Sequence, residues 1–496
     1  MSRTHEIHRL ASIAALLFAL LLTAPITSGV EVNRSVAKTL PLESGRVLVD
    51  HRMGDIHLRT HDRPNVVVQA TIRTDASSRA RAEELADAIR VIIEKDSDGV
   101  VIRTEYPKIR VTHGNLSYSV DYRIVMPRRA KLDLTNRFGE VDVAGLGSAS
   151  SISNAHGRLV FRDGKGNQTL RNSFGAVDAE NIDGDVVIRA GNGSLSVSRV
   201  SGSLNTDNRF GSTTVLGVRG SVSISSSNGK VDLTNAGANA RVTNSFGAVD
   251  VRSVGGNLEV VNGNGAVTVE DVEGRAGLKT SFGSITAERV QKGVDARSEN
   301  SKITLTDIGV GATVSNTFGK VVLREIGGPV EVSNQNGEVT VERIQGGATV
   351  NDRFGLVTAN TIGGPLTVVN ANGGVKAQDV SGTARVVTTF GAVFLDGVRG
   401  DVDVDNSNGS ISVAGLRAGA CQNVSLGSSF GSIQVALPAG ASYDVEAATS
   451  FGNIDSAFPV TVSGSLGKQE LRGRIGQGGC RLVLKNRNGG IRIEKD

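Results

Sequence analysis

The chain has 496 residues, a formal net charge of +4 from 54 basic and 50 acidic residues, only 4% aromatic residues and no Trp. This even charge balance, without a cluster of Lys and Arg interleaved with aromatic residues, argues against a nucleic-acid-binding surface. The 62 glycines indicate short strands and turns around a slim core, and a repeat protein can reach this length without several globular cores.

Residues 1–29 predict a secretory signal peptide. Arg3 and Arg9 precede an apolar run over residues 10–22, and small residues follow the run, which is the order of regions in such peptides. An uncleaved membrane anchor is the alternative, although the run is short for a membrane span. We therefore expect the protein to be exported to the periplasm, the outer envelope or the extracellular space, with membrane contact only through an uncleaved anchor.

Residues 30–135 predict an irregular N-terminal β cap with one helix. Residues 45–49 and 54–58 both follow a Gly-x-apolar-x-apolar pattern that is typical of strands. Between Ser78 and Asp96 the apolar residues, including Ile92 and Ile93, recur at helical spacing, and Gly99 is a plausible C-terminal stop. A single helix in a β chain is expected to cover an open end or flank of a sheet.

Residues 136–427 are a repeat. A Phe-Gly step recurs every 36 residues, and an Asn-Gly step, or a close variant of it, falls midway between, so the underlying unit has 18 residues. A fixed short period over this length predicts a solenoid, in which each repeat buries its apolar face against its neighbours. The phenylalanines of these steps are Phe138, Phe174, Phe210, Phe246, Phe282, Phe318, Phe354 and Phe390.

Apolar residues recur at fixed offsets within each unit. Counted from the Gly of each pair, offsets +2, +4, +7, +11 and +13 are apolar in nearly every unit. Alternation at +2/+4 and at +11/+13 predicts two strands per unit with one buried face. An antiparallel meander built on Asn-Gly hairpins is the alternative. We favour an all-β fold, a parallel β-solenoid (β-helix) of about 16 rungs of 18 residues, because equivalent residues would then stack in register.

Two columns are predicted to have structural roles. Each Phe before a corner Gly should have an Asn directly above and below it and should pack as a partly buried wedge. Offset +15 is most often Asn, as at Asn208, Asn244 and Asn316. A short amide at a repeated corner can bond its own turn and its equivalents in adjacent rungs, so we expect an inward or corner-facing ladder.

Residues 428–496 predict a C-terminal β cap, because the Phe-Gly and Asn-Gly steps continue there at changed spacing. The only two cysteines are Cys421 and Cys480. An exported chain enters an oxidising compartment, so we predict a disulfide that holds the C-terminal cap to the last rung. Two free buried thiols are the alternative.

Several segments resemble a known family. They are Val125-Met-Pro127, residues 132–143, and the closing segments at 473–478 and 482–493. These are similar to the bacterial putative-adhesin β-strand-repeat family, a domain of unknown function in exported proteins, and the resemblance covers nearly all of the chain after the signal peptide. It implies a β-solenoid in the cell envelope without assigned catalysis, and it supplies no binding residues.

Groups that could carry chemistry are few. His57 and His61 could share a strand face as metal ligands, but exposed histidines of an irregular cap are expected instead. The outward +3 column contains Asp142 and Asp178 among several Asp and Thr residues. Two close carboxylates could serve glycoside hydrolysis, whereas a regular Asp/Thr column is typical of a solvated strand face. We therefore predict no catalytic residues, no metal and no cofactor.

These patterns favour a non-enzymatic, exported β-solenoid that acts as a putative adhesin or cell-envelope scaffold. Its partner would be an envelope or surface protein or a glycan, and not a nucleic acid. A periplasmic protein- or glycan-binding module is the alternative, and a carbohydrate-active β-helix enzyme is a third possibility.

Overall fold

The computed structural model describes residues 29–108, 116–462, 467 and 469–496. The signal peptide predicted for residues 1–29 lies, except for Gly29, outside the described residues. The described part of the chain contains 47 strands and one helix, and no helix in it is long and apolar enough to span a membrane.

The N-terminal part joins antiparallel strands to the start of a parallel stack. Its elements are β1 (Val30–Pro41), β2 (Arg46–Asp50), β3 (Ile56–His61), β4 (Asn65–Ala76), α1 (Arg79–Ala88), β5 (Arg90–Lys95), β6 (Gly99–Glu105) and β7 (Ser117–Pro127). Strands β1, β4 and β7 pair antiparallel, whereas β7 and β3, and likewise β6 and β2, pair in parallel. The antiparallel strands therefore close the N-terminal end of the parallel stack.

Helix α1 is shorter than the sequence predicted. Ser78 is its N-cap and accepts a hydrogen bond from the Arg81 N–H, and the helix ends at Ala88. Ile92 and Ile93, which we expected in the helix, lie in β5, which pairs antiparallel with β6. The physical reason is that β-branched residues are suited to a pleated, half-buried surface. The predicted helix stop, Gly99, is instead the first residue of β6.

The repeat region continues as two strands per rung. These are β8 (Lys131–Phe138), β9 (Val141–Ala144), β10 (Ser150–His156), β11 (Leu159–Lys165), β12 (Gln168–Phe174), β13 (Val177–Asp183), β14 (Val186–Asn192), β15 (Leu195–Val200), β16 (Leu204–Phe210), β17 (Thr213–Val218), β18 (Val222–Asn228), β19 (Val231–Ala236), β20 (Ala240–Phe246), β21 (Val249–Val254), β22 (Leu258–Asn264), β23 (Val267–Val272), β24 (Ala276–Phe282), β25 (Ile285–Val290), β26 (Val294–Asn300), β27 (Ile303–Ile308), β28 (Ala312–Phe318), β29 (Val321–Ile326), β30 (Val330–Asn336), β31 (Val339–Ile344), β32 (Ala348–Phe354), β33 (Val357–Ile362), β34 (Leu366–Asn372), β35 (Val375–Val380), β36 (Ala384–Phe390), β37 (Val393–Val398), β38 (Val402–Asn408) and β39 (Ile411–Ala414).

Each strand of the repeat pairs in parallel with the strand one unit later. Val249 pairs with Val267 in one sheet, and Phe246 pairs with Asn264 in the other, a shift of 18 residues in both. The odd-numbered strands from β9 to β39 form the first sheet, and the even-numbered strands from β8 to β38 form the second. The parallel solenoid of 18-residue rungs is therefore confirmed, and the antiparallel alternative is wrong.

The core is the slot between these two sheets. In the rung that begins at Gly247, the buried residues are Val249, Val251 and Val254 from the first sheet and Leu258 and Val260 from the second. Each such side chain contributes about 1.5–3 kcal/mol when it is removed from water. Because every rung places the same offsets inward, the core is a stack of nearly identical layers along the rod.

The C-terminal cap inserts the end of the chain between two earlier segments. Its strands are β40 (Val424–Phe430), β41 (Ile433–Leu437), β42 (Tyr443–Phe451), β43 (Ile454–Ser456), β44 (Val460–Val462), β45 (Glu470–Ile475), β46 (Cys480–Asn488) and β47 (Ile491–Lys495). Strand β46 pairs in parallel with β40 on one side and β42 on the other. Antiparallel β45 then pairs with β42 and β44, so the second sheet ends in antiparallel strands, whereas the first sheet ends in the short parallel strand β43.

A disulfide ties this cap to the end of the repeat. The structure joins Cys421 to Cys480, the pair proposed from the sequence, with a Cα–Cα distance of 5.4 Å and a separation of 59 residues. Closing a loop of that length restricts the unfolded chain by about 4 kcal/mol in the loop-entropy model. The bond anchors β46 close to the connection that leaves β39.

The register predicts how the rod tolerates deletions. Removal of residues 247–282 joins Phe246 to Gly283 and keeps every column in register, so we expect a folded, protease-resistant rod about 10 Å shorter. Removal of residues 247–258 shifts each downstream apolar residue off its column and should expose the core faces. Limited proteolysis of both variants checks this ranking. Equal resistance of the two variants would contradict a stack of rungs that depends on the 18-residue register.

Candidate functional site

One corner of the solenoid is a column of left-handed backbone at offset +6. In the rung pair around Asn235, Thr234 pairs with Arg252 and Ala236 pairs with Val254, while Asn235 is left out of the pairing. This extra residue resets the strand alternation, as a β-bulge does, and lets offsets +4 and +7 both face the core. The non-Gly residues of the column, with φ between 54° and 61°, are Asp163, Asn181, Arg199, Asn235, Ser253, Asp271, Arg289, Asp307, Glu325, Arg343, Thr361 and Asp379.

A long open groove follows this corner. One stretch runs from Asn181 to Gly309 with a volume of about 1220 Å³, and a second runs from Asp307 to Ser381 with about 690 Å³. The buried offset +7 residues form its floor, and the polar +6 and +8 residues form its walls. Such an extended groove suits a chain-like ligand better than a compact small molecule.

Several charges along the groove are paired between successive rungs. Arg289 Nε lies 2.6 Å from Asp271 Oδ1, and Arg343 Nη2 lies 2.8 Å from Glu325 Oε1. The hydrogen bond from Arg289 lowers the pKa of Asp271, because it stabilises the charged carboxylate. These groups are already neutralised by each other and offer no concentrated charge to a ligand.

A second column runs along another corner and consists of alternating Phe and Asn. Phe282 pairs with Asn264 on one side and Asn300 on the other, as the sequence predicted. In the C-terminal cap, Asn488 pairs with both Phe430 and Phe451, so the alternation continues there. We call this set the Phe column: Phe138, Phe174, Phe210, Phe246, Phe282, Phe318, Phe354, Phe390, Phe430 and Phe451.

The rings of the Phe column are exposed, which corrects the expectation of partly buried wedges. Their exposed fractions range from 38% for Phe138 to 72% for Phe451. The reason is local geometry: Asn244 at offset +15 faces the core, and three residues later the chain turns at Gly247, which has a φ of 115°. This turn carries the Phe246 ring to the outside of the corner.

The spaces between successive Phe rings are slots one rung wide. Two rungs separate neighbouring phenylalanines, which is about 9–10 Å. At the N-terminal end, the slot is filled by His156, whose ring centroid lies 4.7 Å from those of Phe138 and Phe174, with interplanar angles of 8° and 1°. In every later slot the shorter Asn side chain takes the place of the His156 ring.

Small residues flank the Phe column on both sides. From Ser173 to Ser284, the positions just before the corner residue and just after the corner Gly carry only Arg209 and Lys230 as charged residues. The remaining flank positions there are Ser173, Ala176, Gly191, Ser194, Ser212, Ser227, Ser245, Ala248, Gly263, Ala266, Ser281 and Ser284. The rings therefore project beyond low shoulders.

Backbone hydrogen bonds along the rod hold each corner in place. The N–H of Gly265 donates to the carbonyl oxygen of Phe282 one rung later, and the N–H of Gly229 donates to that of Phe246 at 2.9 Å. The glycine N–H groups of the Asn-Gly steps are thus occupied. These hydrogen bonds fix the backbone position from which each Phe side chain extends.

The Asn column lies inside this corner. Asn244 and Asn316 are 2% and 3% exposed. Nδ2 of Asn244 donates to the carbonyl oxygens of Gly229 and Gly247, both at 3.2 Å, and Asn208 and Asn316 bond their corners in the same way. Each amide therefore bridges the turns of two successive rungs.

The expected bonds between equivalent side chains are mostly absent. Within the described residues, Nδ2 of Asn334 donates to Oδ1 of Asp352 at 3.1 Å. The Oδ1 atoms of Asn208, Asn244 and Asn316 are buried and have no hydrogen-bond partner. The reason is that the corner carbonyls of adjacent rungs take up the amide donors, so no N–H remains for the neighbouring Oδ1.

The outward carboxylates of the +3 column are held by cations. Oδ2 of Asp142 lies 2.7 Å from Arg59, Oδ2 of Asp178 lies 2.7 Å from Arg158, and Lys230 contacts both Asp232 and Asp250 at 2.7 and 2.8 Å. The carboxylates of this column therefore take part in ion pairs, and Asp142 among them is buried.

The histidines of the N-terminal cap are not gathered into one site. His57 lies 3.9 Å from Asp142, whereas Nε2 of His61 lies 2.7 Å from the carbonyl oxygen of Asn65. Among the residues that the structure describes, no group of three or more His, Cys, Asp or Glu could hold a metal ion.

The most perturbed ionisable groups lie in the packing of the N-terminal cap. Burial lowers the pKa of His51 to about 4 and raises that of Tyr122 to about 12. The His51 ring packs edge-on against Tyr122 at 4.9 Å, and Thr104 bonds both side chains. Because His51 and Tyr122 are buried and contact each other, we assign them to the core of the N-terminal cap.

Two features of the site were missed in the sequence. Offset +6 is rich in Asn, Asp and Gly, the residues that adopt left-handed backbone most readily, so the signal for this corner was present. The sequence carried a weaker signal for the exposure of the Phe column. The small residues that flank most of the column are too short to cover its rings.

The fold and these two columns define the protein as a parallel β-solenoid with regular features along its length. The model of the Toastrack DUF4097 family matches residues 328–494 of this chain. The family resemblance in the sequence is confirmed over this range, while the motif at 125–143 lies outside it. No curated protein matches the chain.

Two solved structures are similar to this chain. One is a putative cell adhesion protein from Clostridium sporogenes ATCC 15579, with 10% identity, coverage of 39% of this chain and 100% of that chain, and a TM-score of 0.22. The other is a putative adhesin from Parabacteroides distasonis ATCC 8503, with 14% identity, coverage of 61% and 97%, and a TM-score of 0.16. At these TM-scores neither name is transferred to this chain.

The Asn column predicts a measurable stability difference. Asn316→Leu leaves the carbonyl oxygens of Ser301 and Gly319 without their donor, so we expect a loss of about 1–3 kcal/mol. Thr304→Val, on the outer face, should change stability by less than about 0.5 kcal/mol. Thermal melting of both variants checks this, and equal melting temperatures would remove the role of the ladder.

Asp352 occupies the Asn column and predicts a pH dependence. Burial raises its pKa above the ordinary 3.8, so the folded state binds the proton more tightly than the unfolded state does. The stability of the fold therefore falls as pH rises from 3.8 through the raised pKa. Asp352→Asn should therefore melt at a higher temperature than the wild type near neutral pH. This advantage should shrink as pH falls through the raised pKa towards 3.8 and should be gone below 3.8, where Asp352 is protonated in both states. A constant difference across pH would exclude the burial of a charge as its cause.

Proposed function

We propose that the protein is an exported, non-enzymatic β-solenoid that acts as an adhesive or scaffolding rod of the cell envelope. The observation that carries the proposal is the exposed Phe column. Ten half-exposed rings stand in one line, two rungs apart, and exposed apolar groups gathered in this way mark interaction sites more than scattered ones do. A rigid stack of rungs keeps this surface continuous over a long distance.

Two features support export. The residues before the described part of the chain carry the pattern of a secretory signal, and the bond between Cys421 and Cys480 suits an oxidising compartment. The absence of catalysis is supported by the pairing of the outward carboxylates with Arg and Lys, because an acid/base pair needs groups free to exchange protons with a substrate.

The groove at the left-handed corner favours a second candidate function. Its length, its apolar floor and its polar walls would suit an extended glycan or peptide lying along the rod. In that case the protein would be a periplasmic protein- or glycan-binding module, and variants of the Phe column would leave ligand binding unchanged.

Cell fractionation tests the proposal. We expect the tagged wild type in the periplasmic, envelope or extracellular fraction, and Leu16→Arg/Leu17→Arg, in the apolar run of the predicted signal, in the cytoplasm. The triple variant Phe282→Ser/Phe318→Ser/Phe354→Ser should still be exported but should wash off the envelope, unlike the control Phe394→Ser on a strand face. A cytoplasmic wild type, or release of sugars from envelope polysaccharide by the purified protein, would overturn the proposal.

A further inference from the structure

We infer that the Phe column is the contact surface for a second copy of this chain, and that two rods associate side by side, antiparallel, with their Phe rings interdigitated. This inference rests on the proposed scaffold function and names its partner. The partner is identified by four properties of the column: the shape of its slots, its period, its area and its symmetry.

The slots accept a flat ring. His156 demonstrates this within the chain, since its ring stacks between Phe138 and Phe174 at 4.7 Å from each. In the slot between Phe282 and Phe318, Asn300 is the residue of the intervening rung, and its short side chain leaves the outer part of the slot to a ring from outside. Offset-stacked rings attract each other beyond the effect of burial alone.

The period of the column selects its partner. Neighbouring rings are two strand spacings apart, and a partner that fills slot after slot must have the same spacing or its misfit will accumulate. A second copy of the column has that period by construction. It also presents its own rings as inserts and its own Asn rungs as receptors, so one column is complementary to itself.

The exposed area is large enough for a stable dimer. A Phe side chain carries about 150–250 Å², and the rings are about half exposed. Eight engaged rings would therefore remove roughly 800 Å² from water on each partner, which equals the standard size of a specific interface. Small flanking residues let the two rods approach away from the centre of the contact. The charged flank positions are concentrated near the centre, at Glu299, Lys302, Lys320, Glu338 and Arg353.

Symmetry sets the orientation of the pair. A two-fold axis parallel to the rods would place each Phe opposite its own equivalent, so rings would collide with rings. A two-fold axis perpendicular to the rods reverses one copy, and when it passes midway between a Phe rung and an Asn rung it places every Phe opposite an Asn. The closed, isologous dimer is therefore antiparallel.

His156 then selects the register. Because its ring already fills the first slot, any register that places a partner's Phe there is blocked. The unblocked register with the longest overlap has its axis between the Phe318 and Asn336 rungs. The facing pairs are then Phe318 with Asn336, Phe354 with Asn300, Phe282 with Asn372, Phe390 with Asn264, Phe246 with Asn408, Phe430 with Asn228, Phe210 with Asn488, and Phe451 with Asn192.

The flanking residues fit this register. On one side of the column, Glu299 lies opposite Arg353, and near the axis on the other side Lys320 lies opposite Glu338. At most other flank positions, a small residue of one copy faces a small residue of the other. Ala266, for example, faces Ala392. One pair, Arg209 with Arg487, is like-charged and belongs to the rim, where long side chains can turn into water.

Sedimentation of the purified protein tests the association. We expect a dimer for the wild type. In Phe282→Ser/Phe318→Ser/Phe354→Ser the dissociation constant should rise more than about a hundredfold, because aromatic residues at the centre of an interface carry most of its binding free energy. Phe394→Ser, which removes an exposed ring outside the column, should remain a dimer. Circular dichroism and melting of each variant show whether it is folded, and a folded triple variant that still dimerises overturns the inference.

Crosslinking tests the orientation and register. In the antiparallel pair, Gln335→Cys lies next to its own equivalent across the axis, so a short bis-maleimide should link two copies. Arg209→Cys lies 13 rungs from its equivalent, about 60 Å away, and should not crosslink. Efficient crosslinking of both variants would indicate parallel rods, and crosslinking of neither would place the contact elsewhere, so both results would overturn the inference.

Three further outcomes separate this inference from the proposed function. A wild type that stays monomeric but binds an insoluble β-linked polysaccharide through the Phe column would replace the second copy with a glycan. An exported envelope rod that is monomeric would leave the scaffold function standing without this partner. An antiparallel dimer found in the cytoplasm would leave the partner standing and overturn the scaffold function.

Discussion

The pairing of each residue with its equivalent 18 residues later is the constraint on which the structure depends. It aligns the backbone hydrogen bonds along the rod, so equivalent positions of successive rungs lie directly above one another and form columns. An inward valine becomes a dry layer against the next valine, an inward asparagine becomes a bridge between corner carbonyls, and an outward Phe becomes one member of a line. Each rung is weak by itself, and its stability comes from the rungs on either side.

The sequence was sufficient for the solenoid because the same offsets are apolar over so many units that only one strand register buries them all. It was also sufficient for the alternation of Phe and Asn along a corner, which follows from register alone. It did not reveal that the rings face outward, because strand alternation predicts the side of a residue only while the strand continues, and Phe246 lies where the chain turns. The end of α1 was also misplaced, because Ile92 and Ile93 fit a helix pattern and a buried strand equally well.

The unit of structure and the unit of sequence differ by a factor of two. The backbone repeats every rung, but from β18 to β38 the side chains repeat every second rung: strands that end in Phe, such as β24 and β28, begin with Ala, and strands that end in Asn, such as β22 and β26, begin with Leu or Val. Small and large core residues thus alternate with the same parity as the exposed rings. A core of identical layers does not require this coupling, whereas a surface of regularly spaced rings and slots does.

The hydrogen bonds at the corner glycines also bear on chemical ageing. An Asn-Gly step is ordinarily prone to deamidation, because the next backbone nitrogen can attack the side-chain carbonyl carbon of Asn, release ammonia and form a cyclic imide. Heat-resistant proteins use fewer Asn residues for related reasons. At Asn228 and Asn264 the nitrogen of the following glycine instead donates to the rung above. That bond and the rigid corner hold it away from the attack, so a folded rod should keep its amides for as long as its rungs stay stacked.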